Sequence, residues 1–102
     1  MRKIRRTIQA RADVKQILTH WYRKSPPYAD RIANRINETV QQLAVLQLRG
    51  RTREEIRSGL RSVVVYPYIV FYQFTDKELV VVRVMHGSQN LAVEFHRDPI
   101  EE

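Results

Sequence analysis

The sequence predicts an α+β fold in the order β-α-α-β-β-β, with a helical hairpin packed on one face of a small, mainly antiparallel sheet. Three observations predict it. The first half of the chain repeats apolar residues at helical spacing. From Leu60 onward the period changes to two, with heavy use of valine and aromatic residues. Ser25-Pro26-Pro27 interrupts the helical half once, and Gly50 ends it.

The opening Met1-Arg2-Lys3-Ile4-Arg5-Arg6 reads as a basic first strand. A first helix follows from about Ala10 to Lys24. Ala10, Val14, Ile17, Leu18, Trp21 and Tyr22 make its apolar stripe, with Asp13, Lys15, Gln16 and Arg23 on the other face. Ser25 is placed to cap the second helix, because a serine hydroxyl accepts bonds from free N–H groups and proline is tolerated in the first turn. That helix runs from Pro26 to about Leu48 on a stripe of Ala29, Ile32, Ala33, Ile36, Val40, Leu43 and Ala44. So short a connection implies an antiparallel hairpin.

The segment from Arg49 to Gly59 reads as a basic connecting loop anchored by Ile56 and Leu60. Arg61–Val65, Tyr68–Phe74 and Leu79–Met85 then read as three strands of a meander, with turns at Tyr66-Pro67 and Thr75–Glu78. The last of them is apolar on both faces, which implies cover on both sides. Leu91–Phe95 reads as a short strand or one helical turn, and Asp98–Glu102 as a frayed end.

The length of 102 residues fits one domain. The chain carries 43% apolar and 28% charged residues, an ordinary folded composition. With no cysteine, disulfides, iron–sulfur clusters and thiolate zinc sites are excluded, and a cytoplasmic location is expected. No apolar run approaches the roughly 20 residues that span a bilayer, and the basic opening lacks the apolar stretch of a secretion signal. The net charge of +7 is uneven. Residues 1–53 hold 13 Lys/Arg against 3 Asp/Glu, a net of +10, and residues 54–102 hold 5 against 8, a net of −3. A basic half points to a polyanionic target or an acidic protein partner, and otherwise to a solvated surface rich in arginine.

Few residues suggest chemistry. Arg83 shares an alternating strand face with Leu79, Val81 and Met85, where an unpaired charge is costly. It has two readings, a carboxylate-paired structural residue or an anion clamp. Arg61 opens the first strand of the meander and His86 closes the last. If pairing brings them together with Arg83, two arginines on phosphate and a histidine acid would suit RNA cleavage. The commoner role of a lone histidine before glycine is packing or turn formation. Arg49, Arg51, Arg53 and Arg57 join Arg61 and Arg83 as candidates for binding phosphate or the target. No phosphate-binding loop, dinucleotide glycine pattern or Gly-x-Ser-x-Gly is present. His20, His86 and His96 lack metal-ligand spacing, with Glu94 and Asp98 at most beside His96. No metal or cofactor is expected.

Several motifs in order resemble a known family. Ala12-Asp13-Val14-Lys15-Gln16-Ile17 and Ser25-Pro26-Pro27-Tyr28-Ala29-Asp30-Arg31 are similar to the starts of the two helices in the RelE/ParE toxin superfamily. Leu43-Ala44, followed by Arg49-Gly50-Arg51-Thr52-Arg53-Glu54-Glu55-Ile56, resembles its helix-to-sheet joint. Gly59-Leu60-Arg61-Ser62, Tyr68-Ile69-Val70-Phe71-Tyr72 and Arg83-Val84-Met85-His86-Gly87 resemble its strand motifs. The likeness extends over about residues 8–91 and is strongest to the ParE branch. Gln89 stands where an arginine is usual, and Gln47-Leu48-Arg49 lacks the usual proline.

The resemblance implies a toxin of a bacterial type II toxin–antitoxin module. A ParE-like toxin inhibits DNA gyrase by binding, has no active site of its own and is neutralised by an acidic, partly disordered antitoxin segment. The RelE branch implies instead a ribosome-dependent mRNA endonuclease, here using Arg61, Arg83 and His86. No tyrosine follows Tyr72 and the extra lysines of that branch are missing, which favours the ParE-like reading.

Overall fold

The structure, a computed structural model, describes residues 2–89. Strand β1 (Lys3–Arg6) leads into helices α1 (Ile8–Lys24) and α2 (Pro26–Leu46), then strands β2 (Arg51–Thr52), β3 (Arg61–Val65), β4 (Tyr68–Phe74) and β5 (Glu78–His86). The sheet order is β1-β5-β4-β3-β2. β1 lies parallel to β5 and every other pair is antiparallel. The α+β architecture is as the sequence predicts, and the three strands of the meander fall within a residue or so of their expected bounds. The basic connecting segment differs, since Arg51 and Thr52 pair with Ser62 and Arg61 as a fifth strand. The readings of Leu91–Phe95, Asp98–Glu102 and His96 fall outside the described residues.

Thr7 sets where α1 begins. Its hydroxyl accepts the Ala10 N–H at 3.0 Å and donates to the Val82 carbonyl at 2.7 Å, so one fully buried side chain caps the helix and pins it to β5. At the hairpin Ser25 makes no side-chain cap bond, contrary to its sequence reading. Its backbone N–H closes α1 on Trp21 O at 2.7 Å, and Pro26 and Pro27 start α2 without needing a capped donor. α2 ends two residues early because Gln47 turns left-handed, with φ of 52°.

The helices bury unequal faces. α2 sends Ala29, Ile32, Ile36, Val40, Leu43 and Ala44 into the core, whereas α1 fully buries Ala10 alone. The main core joins all of these but Ala29 to Tyr68, Val70, Tyr72, Leu79 and Val81 of the sheet. On the opposite face Leu60, Phe71, Val80, Val82 and Met85 cluster with Ile56 and Ile69. β5 is thus covered on both sides, as its two-faced apolar pattern requires.

Tyr22, on the exposed side of α1, ties the hairpin by donating its hydroxyl to Asp30 Oδ1 at 2.5 Å. That bond and the adjacent carboxylate raise the phenol above its ordinary value of 10. A phenol raised on folding stabilises the fold below the unfolded value, and that contribution is lost as pH rises through the raised one. Asp30→Asn should therefore return the Tyr22 phenol toward 10, read by phenolate absorbance as the difference between the two proteins. An unchanged titration in Asp30→Asn would rule out this bond as the cause.

Candidate functional site

The candidate residues fall into two regions, one along the β5 edge beside α1 and one around β2 and β3. The first lies where α1 crosses the edge of β5. β1 pairs only with Glu78–Val81, so the rest of that edge needs other partners. Asp13 supplies one: its Oδ2 accepts the Val84 N–H at 3.0 Å and Arg83 Nε at 2.7 Å, while Oδ1 accepts Arg83 Nη2 at 3.0 Å. A two-pronged contact of this kind matches the guanidinium fork to the carboxylate. Both side chains are nearly buried, with 9% of Arg83 and 14% of Asp13 exposed.

A bulge explains the aim of Arg83. Tyr72 faces Val81 and Phe71 faces Arg83, so Val82 is an extra residue in β5. A bulge breaks the alternation of side chains and re-aims those beside it. Leu79, Val81 and Val84 therefore join the helix-side core, while Met85 lies in the opposite cluster. The single face expected for Leu79, Val81, Arg83 and Met85 does not form. Nor does Asp13 lie on the solvent face of α1; its place beside the apolar stripe, three residues from Ala10 and four from Ile17, was the available signal.

His86 sits at the exposed end of β5. Its ring meets Tyr68 edge-on at 5.6 Å, and its Nδ1 accepts the Ser88 N–H at 3.0 Å. That acceptor role leaves the proton of a neutral ring on Nε2. Gln89, where the family pattern has arginine, closes the turn by accepting the His86 N–H on Oε1 at 2.8 Å. An open groove of about 810 Å³ runs past these residues to Trp21, whose Nε1 donates to the Tyr68 hydroxyl at 2.7 Å.

The second region is basic. Tyr72 accepts the Gly50 N–H at 2.6 Å and donates to the Leu48 carbonyl at 3.0 Å, which fixes the chain between α2 and β2. Arg61 Nη1 donates to Gly50 O at 3.0 Å, and Arg53 Nε to Ser62 Oγ at 2.8 Å. Arg49 lies against the Phe74 ring and Arg51 points from β2 at an exposed position. Arg57 helps build the loop, donating its backbone N–H to Arg53 O. Arg2 joins this group unannounced by the sequence, because its place depends on β1 running parallel beside β5.

The proposed nuclease trio comes together only in part, since Arg83 and His86 line one groove and Arg61 does not. Arg61 stands opposite Tyr72 and His86 opposite Tyr68, four residues apart along β4, or roughly 13 Å. The two also sit on strands either side of β4, and Arg83 is held toward α1. Among the described residues no group of three or more His, Asp or Glu is placed to hold a metal ion, and no helix is long and apolar enough to cross a membrane.

Comparison with known proteins agrees with this architecture. Residues 4–91 match the family model described as the ParE toxin of the type II toxin–antitoxin system parDE. The chain belongs to the ParE toxin family. Toxin ParE3 of Caulobacter vibrioides is 34% identical over 62 residues, which cover 61% of this chain and 62% of that protein, somewhat less than two thirds of its length. A chain from the chromosomal ParDE toxin–antitoxin system of P. aeruginosa superposes with a TM-score of 0.70 at 25% identity, covering 84% of this chain and 96% of the other. Membership of the ParE family accounts for the helical hairpin over a mixed sheet and for the order of the motifs. It places this chain among type II toxins.

Proposed function

We propose that this ParE-family protein acts in the cytoplasm as a binder: it inhibits DNA gyrase without an active site of its own, and a cognate acidic antitoxin neutralises it. The observation that supports a binder over a nuclease is the position of Arg83. Its guanidinium is engaged by Asp13, and the groove that it lines with His86 does not include Arg61, so the three groups that RNA cleavage would require have no common focus. The basic candidates Arg49, Arg51, Arg53 and Arg61 gather instead around β2 and β3, where they suit a contact surface better than a reaction centre.

The test is a supercoiling assay in which antitoxin-free protein is titrated into gyrase with closed-circular DNA. Cleaved DNA accumulating at near-stoichiometric protein is the expected result. Gyrase left fully active by folded protein would sink this reading, and cleavage of translating mRNA would then make Arg61, Arg83 and His86 the residues to mutate.

A further inference from the structure

We infer that the C-terminal end of α2, with the arginines beside it, is a docking surface for an acidic amphipathic protein segment. The inference rests on the reading above, in which that segment belongs to the antitoxin. Two independent features meet there. Val45, Leu46 and Leu48 are 55%, 62% and 47% exposed, an apolar group of the kind that marks interaction sites. Arg2 and Arg49 both lie against one ring, their guanidinium carbons 4.7 and 5.4 Å from the centre of Phe74.

These arginines lack acidic partners. Among the described residues Arg2 donates only to neutral oxygens, Thr75 O at 2.9 Å and Gln47 Oε1 at 2.7 Å, and Arg49 meets only the ring. Two other arginines do have carboxylate partners, Arg83 on Asp13 and Arg5 on Glu78. The distance between the Arg2 and Arg49 charges cannot exceed the sum of their distances to the ring centre, which is comparable to the Debye length at physiological salt. Each charge therefore feels the other, and a polyanionic or acidic partner would relieve that repulsion.

The apolar residues decide the class of partner. A phosphate backbone would satisfy Arg2 and Arg49 but gain nothing from Val45, Leu46 and Leu48. An acidic amphipathic segment supplies both halves, carboxylates for the guanidinium forks and apolar side chains for the leucines. A second copy of this chain, docked symmetrically, would set the same arginines against each other. The surface is also ordered in advance. The Gln47 turn sits between Leu46 and Leu48 under the Arg2 bond, and Tyr72 holds the Leu48 carbonyl. Little ordering entropy remains to oppose docking.

The experiment is calorimetric titration of the antitoxin encoded beside this toxin into wild type, Leu46→Asp/Leu48→Asp, Arg2→Gln/Arg49→Gln and a charge-matched control, Lys15→Gln/Lys24→Gln on α1. Circular-dichroism melts check that each folds. Arg49→Glu alone is the second arginine variant, since it leaves the Arg2 bond to Gln47 in place. The leucine and arginine variants should each lose about thirtyfold or more in affinity, the range of interface hot spots, with the control within about threefold of wild type. Wild type and variants binding alike would overturn the surface and leave the toxin–antitoxin reading standing. No binding by wild type would overturn both. If the arginine variants instead lose affinity for a DNA duplex while the leucine variants keep it, the patch is a phosphate surface and the inference falls. A wild-type dimer in sedimentation that Leu46→Asp dissociates would overturn it in favour of self-association.

Discussion

Asp13→Ala is expected to lower the thermal unfolding midpoint by on the order of 15 °C. The substitution removes the carboxylate that accepts two bonds from Arg83 and one from the Val84 N–H. It leaves behind a guanidinium whose side chain is 9% exposed. Removing one partner of a buried ion pair costs about 3–5 kcal/mol, because the remaining charge stays desolvated without the carboxylate that faced it. Asp13 keeps 14% of its side chain in solvent, so the lower end of that range applies. For a domain of this size each kcal/mol moves the midpoint by roughly 4–8 °C.

The double variant Asp13→Leu/Arg83→Met separates charge from packing. It removes both ions and refills the volume, so most of the lost stability should return. About 1 kcal/mol stays missing, because the Val84 N–H loses its acceptor. The same protein also tests function. If it inhibits gyrase as wild type does, Arg83 serves the fold; if it melts normally yet has lost activity, Arg83 touches the target. An Asp13→Ala protein melting within about 2 °C of wild type would show that solvent reaches Arg83 and that the pair is not structural.

The elements were legible in the sequence where local chemistry decides them. Pro26 and Pro27 mark a helix start wherever they stand after a helical stripe, and Tyr66-Pro67 marks a turn between two valine-rich runs. What could not be read depends on residues far apart in the chain. The β5 bulge has no local signature, since Val80, Val81 and Val82 are alike and only pairing with Phe71 and Tyr72 shows which is extra. Without it Arg83 looks stranded among aliphatics, and Asp13 looks like one more polar residue on α1. The same holds for the basic region. Arg49, Arg51, Arg53 and Arg61 were visible as a charged run, but the partners Arg2 and Phe74 arrive through sheet order. Charge composition therefore found the half of the molecule that carries the cations, and topology decided which of them face no carboxylate.

Gly50→Ala should then disturb that surface without touching any of its side chains. An added Cβ would overlap the Ser62 carbonyl oxygen and stand 3.0 Å from the Tyr72 hydroxyl. Ser62 cannot recede easily, because it pairs with Arg51 on one side and Phe71 on the other. The chain at Gly50 must therefore move instead, weakening its bonds to Tyr72 and Arg61. Overpacking of this kind costs about 1–3 kcal/mol, and the upper half is expected where the obstacle is backbone. Gly59 makes the comparison sharp. Its φ of 79° strains any side chain, but nothing lies within 4 Å of an added Cβ, so Gly59→Ala should cost only about 1 kcal/mol. Urea unfolding of the two variants should rank them in that order. Hydrogen exchange at the Gly50 and Arg51 amides should quicken in Gly50→Ala alone, and antitoxin affinity should fall with it although Leu46, Leu48, Arg2 and Arg49 are all present. A Gly50→Ala protein as stable as wild type would mean that the joint between α2 and β2 is looser than its hydrogen bonds indicate, and the advance ordering of the docking surface would fail with it.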